Sequence, residues 1–201
     1  DAEIMGMRAP KRARGKQRVA ELLEAAAAVF AEKGYEAATM TEIAARAGAP
    51  IGSLYQFFPA KDALADTLLH GYAALLTADL KALETRAGEI DITTLVEQLF
   101  GLLRGHRRER AAALPLAEER MDEKTLRSTF RQMLRKHIAA VLRARVPSLP
   151  TDAARDMAVV VLQLMKAASA ISDEESLPGR AAALRELKSL AVNYVRTHAG
   201  E

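Results

Sequence analysis

In the N-terminal third of the chain, helix start and stop signals follow one another so closely that only short helices fit between them. A helical pattern of apolar residues begins near Lys16 and meets Gly34, a residue type that commonly ends helices. Thr39 and Glu42 have the spacing of a capping box, in which each side chain bonds to the backbone N–H of the other residue. Gly48 closes the second helix, which this box opens.

A third short helix follows at once. Pro50 suits the first turn of a helix, because the N–H that it lacks would have no partner there, and Pro59 prevents the helix from continuing. Residues 17–60 therefore hold three helices, with a glycine-containing turn between the last two. Helix-turn-helix units have this arrangement, although a purely structural three-helix cluster would have it too.

The amino-acid composition extends the helical prediction to the whole chain. Of its 201 residues, 41 are Ala and 26 are Leu, whereas Val and Ile together number only 17. Ala and Leu favour helices, whereas β-branched and aromatic residues favour strands. We therefore predict an all-α protein of about nine helices, since long amphipathic patterns continue from Lys61 to His198. Within this larger body, Thr94 and Glu97 have the spacing of another capping box, and a short helix from Arg107 is expected to end before Pro115.

Positive charge is concentrated near the N-terminus. The net charge of the chain is only +3, but residues 8–18 hold six basic side chains and no acidic one, so the other residues sum to −3. Residues 48–58 carry no charge at all. We predict a flexible basic arm over residues 1–16, which either supplies attraction to nucleic acid or is simply a solvated tail.

Several classes of protein are excluded or disfavoured. The absence of cysteine excludes disulfide scaffolds, thiolate zinc sites and thiol chemistry. No apolar run reaches the roughly 18 residues that span a bilayer, and no secretory signal core is present, so we expect a cytoplasmic protein without membrane contact. The four histidines have no metal-ligand spacing, and no paired carboxylates or phosphate-binding loop appear. We therefore expect no enzyme activity, no metal ion and no cofactor.

The run Leu54-Tyr55-Gln56-Phe57-Phe58-Pro59-Ala60-Lys61, with residues 33–44 and Ala47-Gly48 before it, resembles the TetR family of bacterial transcriptional repressors. The resemblance implies a homodimer that binds a palindromic double-stranded DNA operator and is released by a small-molecule effector. It also implies that residues 17–60 bind DNA and that residues 61–201 bind the effector and form the dimer. The alternative is a helical interaction module without sequence-specific DNA binding.

Eight residues become candidates for DNA contact. Leu54 and Phe58, four residues apart, form the inner face of the recognition helix, which leaves short polar side chains outside. By resemblance, Tyr55 and Lys61 are expected on phosphates. The full set is Thr41, Arg46, Ile51, Gly52, Ser53, Tyr55, Gln56 and Lys61. Ile51 stands where the family often has Lys, and it favours contact with a thymine methyl group.

Two further sets belong to the larger body. The effector pocket is predicted to be lined by Tyr72, Phe100, Leu103, Phe130, Met133 and His137, and its few aromatic residues favour an aliphatic or weakly polar ligand. His137 lies among apolar residues and needs a polar partner, either from the protein or from a ligand. The dimer interface is predicted at Met157, Val160, Val161, Leu164, Leu184, Leu187, Ala191 and Tyr194, with burial inside one large core as the alternative for the first helix.

Overall fold

The computed structural model describes residues 11–119 and 125–200, and this part of the chain holds nine α-helices, one turn of 3-10 helix and no β-strand. The all-α prediction is confirmed. The helices are α1 (Lys11–Ala37), α2 (Met40–Arg46), α3 (Ile51–Phe57), α4 (Lys61–Arg86), α5 (Ile92–Gly105), α6 (Arg107–Glu119), α7 (Thr125–Arg145), α8 (Thr151–Asp173) and α9 (Arg180–Ala199), with the 3-10 turn at Ala87–Glu89. Among the described residues, none of these helices is both long and apolar enough to cross a bilayer.

The chain divides into two compact units, and the division differs from the predicted boundary at residue 60. The first unit takes in the described residues up to His70 and those of α6 from Ala111 onward, and the second unit holds the rest. The reason lies in the core of the first unit, where Leu64, Ala65 and Leu116 are buried in the same apolar cluster as Phe30. The first turns of α4 and the end of α6 therefore complete this core.

The first helix begins earlier than predicted. Residues 11–16, assigned from the sequence to a flexible arm, are helical, while residues 1–10 lie outside the described part of the chain. An isolated glycine such as Gly15 costs a helix only about 1 kcal/mol relative to alanine, and its neighbours are good helix formers. The helical conformation breaks at Gly34 as predicted, with φ 78° and ψ 168°, a backbone region that is open to glycine almost alone.

Two local predictions in the larger body are wrong. The cap of α5 is Asp91, whose carboxylate accepts a hydrogen bond from the backbone N–H of Thr94 at 2.7 Å, so Thr94 and Glu97 form no capping box. That bond also lowers the pKa of Asp91. The sixth helix continues through Pro115 to Glu119. A proline inside a helix costs about 3 kcal/mol, and the full burial of Leu116 offsets about 2 kcal/mol of that cost.

The second unit has its core around α8. This helix packs against α5, α7 and α9. Its buried side chains follow the helical repeat and include Met157, Val161, Leu162 and Met165. The buried side chains of the apolar run in α8 therefore pack into the core of the chain itself.

Candidate nucleic-acid interface

The capping box at the start of α2 is present. Thr39 accepts a hydrogen bond from the backbone N–H of Glu42 at 3.2 Å, and Glu42 accepts one from the backbone N–H of Thr39 at 3.1 Å. Lys33 also donates a hydrogen bond to the Glu42 carboxylate. The hydrogen bond from Lys33, and to a smaller extent those from Thr39, hold the pKa of Glu42 below its ordinary value. The start of α2 is thereby tied to the end of α1.

The turn between α2 and α3 is a Schellman motif. The backbone N–H of Gly48 bonds to the carbonyl of Ala45 at 3.1 Å, and that of Ala49 bonds to the carbonyl of Ala44 at 3.0 Å. Gly48 has φ 58°, the left-handed conformation that this motif needs at its glycine. The carbonyl of Pro50 then accepts the first bond of α3, from Ser53 at 2.9 Å. These bonds fix the direction in which α3 leaves the turn.

The third helix has a buried face and an exposed face. Leu54 is fully buried and Phe58, just after the helix, is 6% exposed, so both belong to the core of the first unit as predicted. Around the rest of the helix, Ile51, Tyr55 and Phe57 are each 40–50% exposed. Such side chains are normally covered unless they meet a partner.

Gly52 lies on the exposed side of α3 and has no structural reason to be glycine. A Cβ added at this position would meet no atom within 4 Å, and its φ is not in the positive range. Glycine inside a helix costs about 0.8–1 kcal/mol relative to alanine. The free space at Gly52 therefore lies outside the protein, where a close neighbour would approach the backbone. Thr41 and Gln56 are exposed as well, and Ser53 is half-buried.

The two charged candidates have partners inside the first unit. The Lys61 ammonium donates to the carbonyls of Tyr35 at 2.7 Å, Ala38 at 3.0 Å and Glu36 at 3.1 Å, and it lies 4.4 Å from the centre of the Tyr35 ring. All three of its N–H groups are therefore used by carbonyl oxygens, a role that the sequence did not indicate.

Arg46 has a weaker attachment. It pairs with Glu32 at 2.6 Å, and both side chains are exposed. Exposed pairs of this kind contribute little and exchange readily with other charged groups. Arg46 therefore stays accessible to a phosphate, whereas the Lys61 ammonium is held by the end of α1.

The sequence of this N-terminal region matches a known protein family. The model for bacterial regulatory proteins of the TetR family matches residues 22–68, which span α2, α3, the later part of α1 and the first two turns of α4. The similarity to the TetR family lies in this N-terminal region. The HTH-type transcriptional repressor KstR2 of Mycobacterium tuberculosis is 50% identical to it over 58 residues, a match that spans only 29% of this chain and 29% of that repressor.

Solved structures extend the likeness beyond the N-terminal region. A TetR-family regulatory protein from Rhodococcus RHA1 matches with a TM-score of 0.66 and 18% identity, over 89% of this chain and 97% of that one. The regulator FadR from Bacillus subtilis, in complex with stearoyl-CoA, matches with a TM-score of 0.61 and 16% identity, over 86% and 97% of the two chains. At these identities the match shows a shared fold.

The predicted effector residues fall into two groups in the structure. Tyr72 and Phe130 have ring centres 5.8 Å apart, and Met133 accepts a hydrogen bond from Thr77 at 3.1 Å. We call Tyr72, Phe130 and Met133 the aromatic cluster. Burial raises the pKa of Tyr72 to about 12.

The remaining three pocket residues are placed differently. Leu103 is buried in the second unit, and Phe100 lines a separate cavity between α5, α8 and α9. Partial burial, with Lys81 nearby, lowers the pKa of His137.

The predicted interface residues are mostly covered by the chain itself. Met157, Val161 and Ala191 are at most 2% exposed, and Leu164, Leu184, Leu187 and Tyr194 are half-buried. Val160 is exposed, as are Val159 and Leu190, which the sequence did not single out. A signal was available for Leu190, because it stands between the polar Ser189 and the buried Ala191 on an otherwise amphipathic helix.

Proposed function

We propose that this chain is a transcriptional repressor that binds a palindromic DNA operator as a homodimer and is released by a small-molecule effector. The observation that carries the proposal is the exposed face of α3, with Ile51 and Tyr55 outside and Leu54 fixed in the core. A recognition helix needs this combination of a docked inner face and a free outer face. The family of the N-terminal region supports the same role. The proposed role includes no catalytic step.

The outer face of α3 favours apolar and neutral contacts in the major groove. Ile51 suits a thymine methyl group, and Ser53 and Gln56 supply hydrogen bonds to base edges. Gly52 allows the backbone to approach the duplex closely, and the Tyr55 hydroxyl suits a phosphate. Thr41 and Arg46, at the two ends of α2, are proposed to contact the sugar-phosphate backbone.

Much of the attraction to phosphate is proposed to come from the basic segment before residue 18. The first turn of α1 holds no acidic residue, although it is the positive end of the helix dipole. Cations at this end are unfavourable within the isolated chain, whereas a phosphate near them is favourable for the same reason. Arg14 and Lys16 are exposed there.

The homodimer is proposed to use the outer faces of α8 and α9. Val159, Val160 and Leu190 supply exposed apolar surface on these two helices, and Leu190 is 62% exposed. Two-fold symmetry would then place two recognition helices roughly 34–36 Å apart, which is one turn of DNA. The effector is proposed to bind beside the aromatic cluster, near His137, and an aliphatic or weakly polar ligand suits this setting.

A mobility-shift assay on the DNA upstream of the chain's own gene tests the proposal. We expect a shift at low salt, and we expect Tyr55→Ala to weaken binding at least tenfold while thermal unfolding stays unchanged, because Tyr55 is half exposed. Leu75→Ala is the matched control, since Leu75 is an exposed apolar residue of α4 outside the interface. Absence of a shift by the wild-type protein at low salt would favour a helical interaction module instead.

A further inference from the structure

A cavity of about 360 Å³ opens between α5, α8 and α9 in the second unit. Its volume falls in the lower part of the ~300–1,000 Å³ range that is typical of small-molecule sites. Of the predicted effector residues only Phe100 lines it, so it is a different place from the aromatic cluster. We call it the α5/α8/α9 cavity.

The lining of the cavity combines an apolar floor with a basic rim. The floor is formed by Phe100, Ala168 and Leu184. The charged residues of the rim are Arg104, Arg185, Lys188 and Glu97. Lys188 donates a hydrogen bond to Glu97, so these two charges compensate each other. The two arginines remain, and they give the rim an excess of positive charge.

Other arginines of the same unit are paired with an acidic residue. Arg110 donates hydrogen bonds to Ser169 and Asp173, and Arg107 lies 3.3 Å from the Asp173 carboxylate. Arg104 and Arg185 have no ion pair or hydrogen bond of this kind with any residue that the structure describes. The excess charge at the cavity is therefore local and is not neutralised by the surrounding helices.

A polar group of the cavity also lacks a partner. Ser172 lines the cavity, and its hydroxyl oxygen is buried without a hydrogen bond to any described residue. Buried polar groups in proteins are nearly always satisfied. Rotation of the Ser172 side chain towards the cavity would bring this hydroxyl to a ligand oxygen whose negative charge met Arg104 and Arg185.

We propose that the α5/α8/α9 cavity binds a small organic anion with an aliphatic tail, most simply a medium-chain carboxylate. The carboxylate lies between Arg104 and Arg185, and the tail lies on Phe100 and Leu184. At about 30 Å³ for each small group, the volume of a water molecule in the liquid, the cavity holds about twelve heavy atoms. An eight-carbon carboxylate fits within this number.

The site does not compete with the proposed dimer surface. At about 100° per residue, Ala168 and Ser172 lie about 80–120° around α8 from the exposed Val160. The inference goes beyond the proposed repressor function, because it concerns a cavity apart from the aromatic cluster and does not require DNA binding. Its test therefore contains no DNA.

Isothermal titration calorimetry with sodium octanoate on the full chain tests the proposal. We expect saturable binding of one octanoate per chain, and at least fivefold weaker binding to Arg185→Gln and to Arg104→Gln. Octylamine and octanol, which match the tail but lack the negative charge, are expected to bind at least tenfold more weakly than octanoate. Arg143→Gln is the control, because Arg143 is exposed on α7, away from the cavity, and loses the same charge.

Three results would overturn the proposal. They are no saturable binding of octanoate, equal binding of octylamine or octanol, and unchanged affinity in both arginine variants. The last result would place the octanoate away from Arg104 and Arg185. Thermal unfolding of each variant checks that it folds. If Arg104→Gln does not fold, Arg185→Lys is measured in its place. This variant keeps the charge and is expected to retain most of the affinity.

Discussion

Replacing Lys61 with methionine separates two roles for this residue. The resemblance to the family implies that Lys61 contacts a DNA phosphate, whereas its ammonium donates to three carbonyls at 2.7–3.1 Å and lies over the Tyr35 ring. Lys61→Met keeps most of the apolar stem and removes the charge and all three donors. The variant therefore tests the ammonium and leaves the packing of α4 nearly intact.

The stability loss is worked out from these contacts. Each hydrogen bond is assigned about 0.5–1 kcal/mol, the lower part of the usual range, because Lys61 is half-buried and water replaces part of each bond. The contact with the Tyr35 ring adds about 0.5 kcal/mol. We therefore expect Lys61→Met to lower the free energy of unfolding by about 2–3.5 kcal/mol in urea titrations followed by circular dichroism.

The DNA measurement completes the test. A lysine on a phosphate contributes about 0.9 to the slope of log affinity against log salt, whereas a lysine that joins α4 to α1 contributes nothing. We expect the slope for Lys61→Met to equal that of the wild type. Lys81→Met, at an exposed position of the same helix, is the control for both measurements. A stability loss under 0.5 kcal/mol, together with a slope reduced by about one, would refute the structural role.

Four further outcomes are expected. Gly34→Ala lowers the free energy of unfolding by about 1–3 kcal/mol in urea titrations, because φ 78° with ψ 168° is strained for alanine; an unchanged value would contradict this. Gly52→Ala leaves stability equal or about 1 kcal/mol higher and weakens operator binding in mobility shifts; unchanged binding would count against close approach of DNA there. Deletion of residues 1–14 flattens the salt dependence of operator binding, and an unaltered slope would remove the basic segment from the interface. The contribution of His137 to stability falls as pH drops below about 6.5, because the unfolded chain protonates His137 before the folded chain does; this contribution levels off below the lowered folded-state pKa, and urea titrations of His137→Gln show a smaller fall over this range.

The parts of the first unit that follow from the sequence are those decided by residues close together in the chain. Thr39 and Glu42 cap α2 from three residues apart, and Gly48 closes it through bonds to the same helix. The two faces of α3 follow from the spacing of Leu54 and Phe58. In each case the partners are close in the chain, so the residue types alone decide the conformation.

Contacts between distant parts of the chain were not predictable in this way. Leu116 joins the core of the first unit although the sequence placed it in the larger body, and nothing local distinguishes it from the leucines of the second unit. Lys61 reaches carbonyls 23–26 residues earlier, and a backbone acceptor leaves no signature in residue types. The apolar run in α8 predicted burial on two sides, but periodicity does not tell which side faces the chain's own core.

The contacts of Lys61 and Arg46 limit which side chains of the proposed interface are available to attract DNA phosphates. Residues 48–58 carry no charge, and Lys61 uses its donors within the first unit. Arg46 is held only by an exposed pair, so it stays available to DNA. We therefore propose that the basic segment before residue 18 supplies most of the salt-dependent affinity, while α3 supplies the sequence preference through neutral groups. Substitutions on α3 should therefore change which operator is preferred and leave the salt slope unchanged, because the two properties reside in different helices.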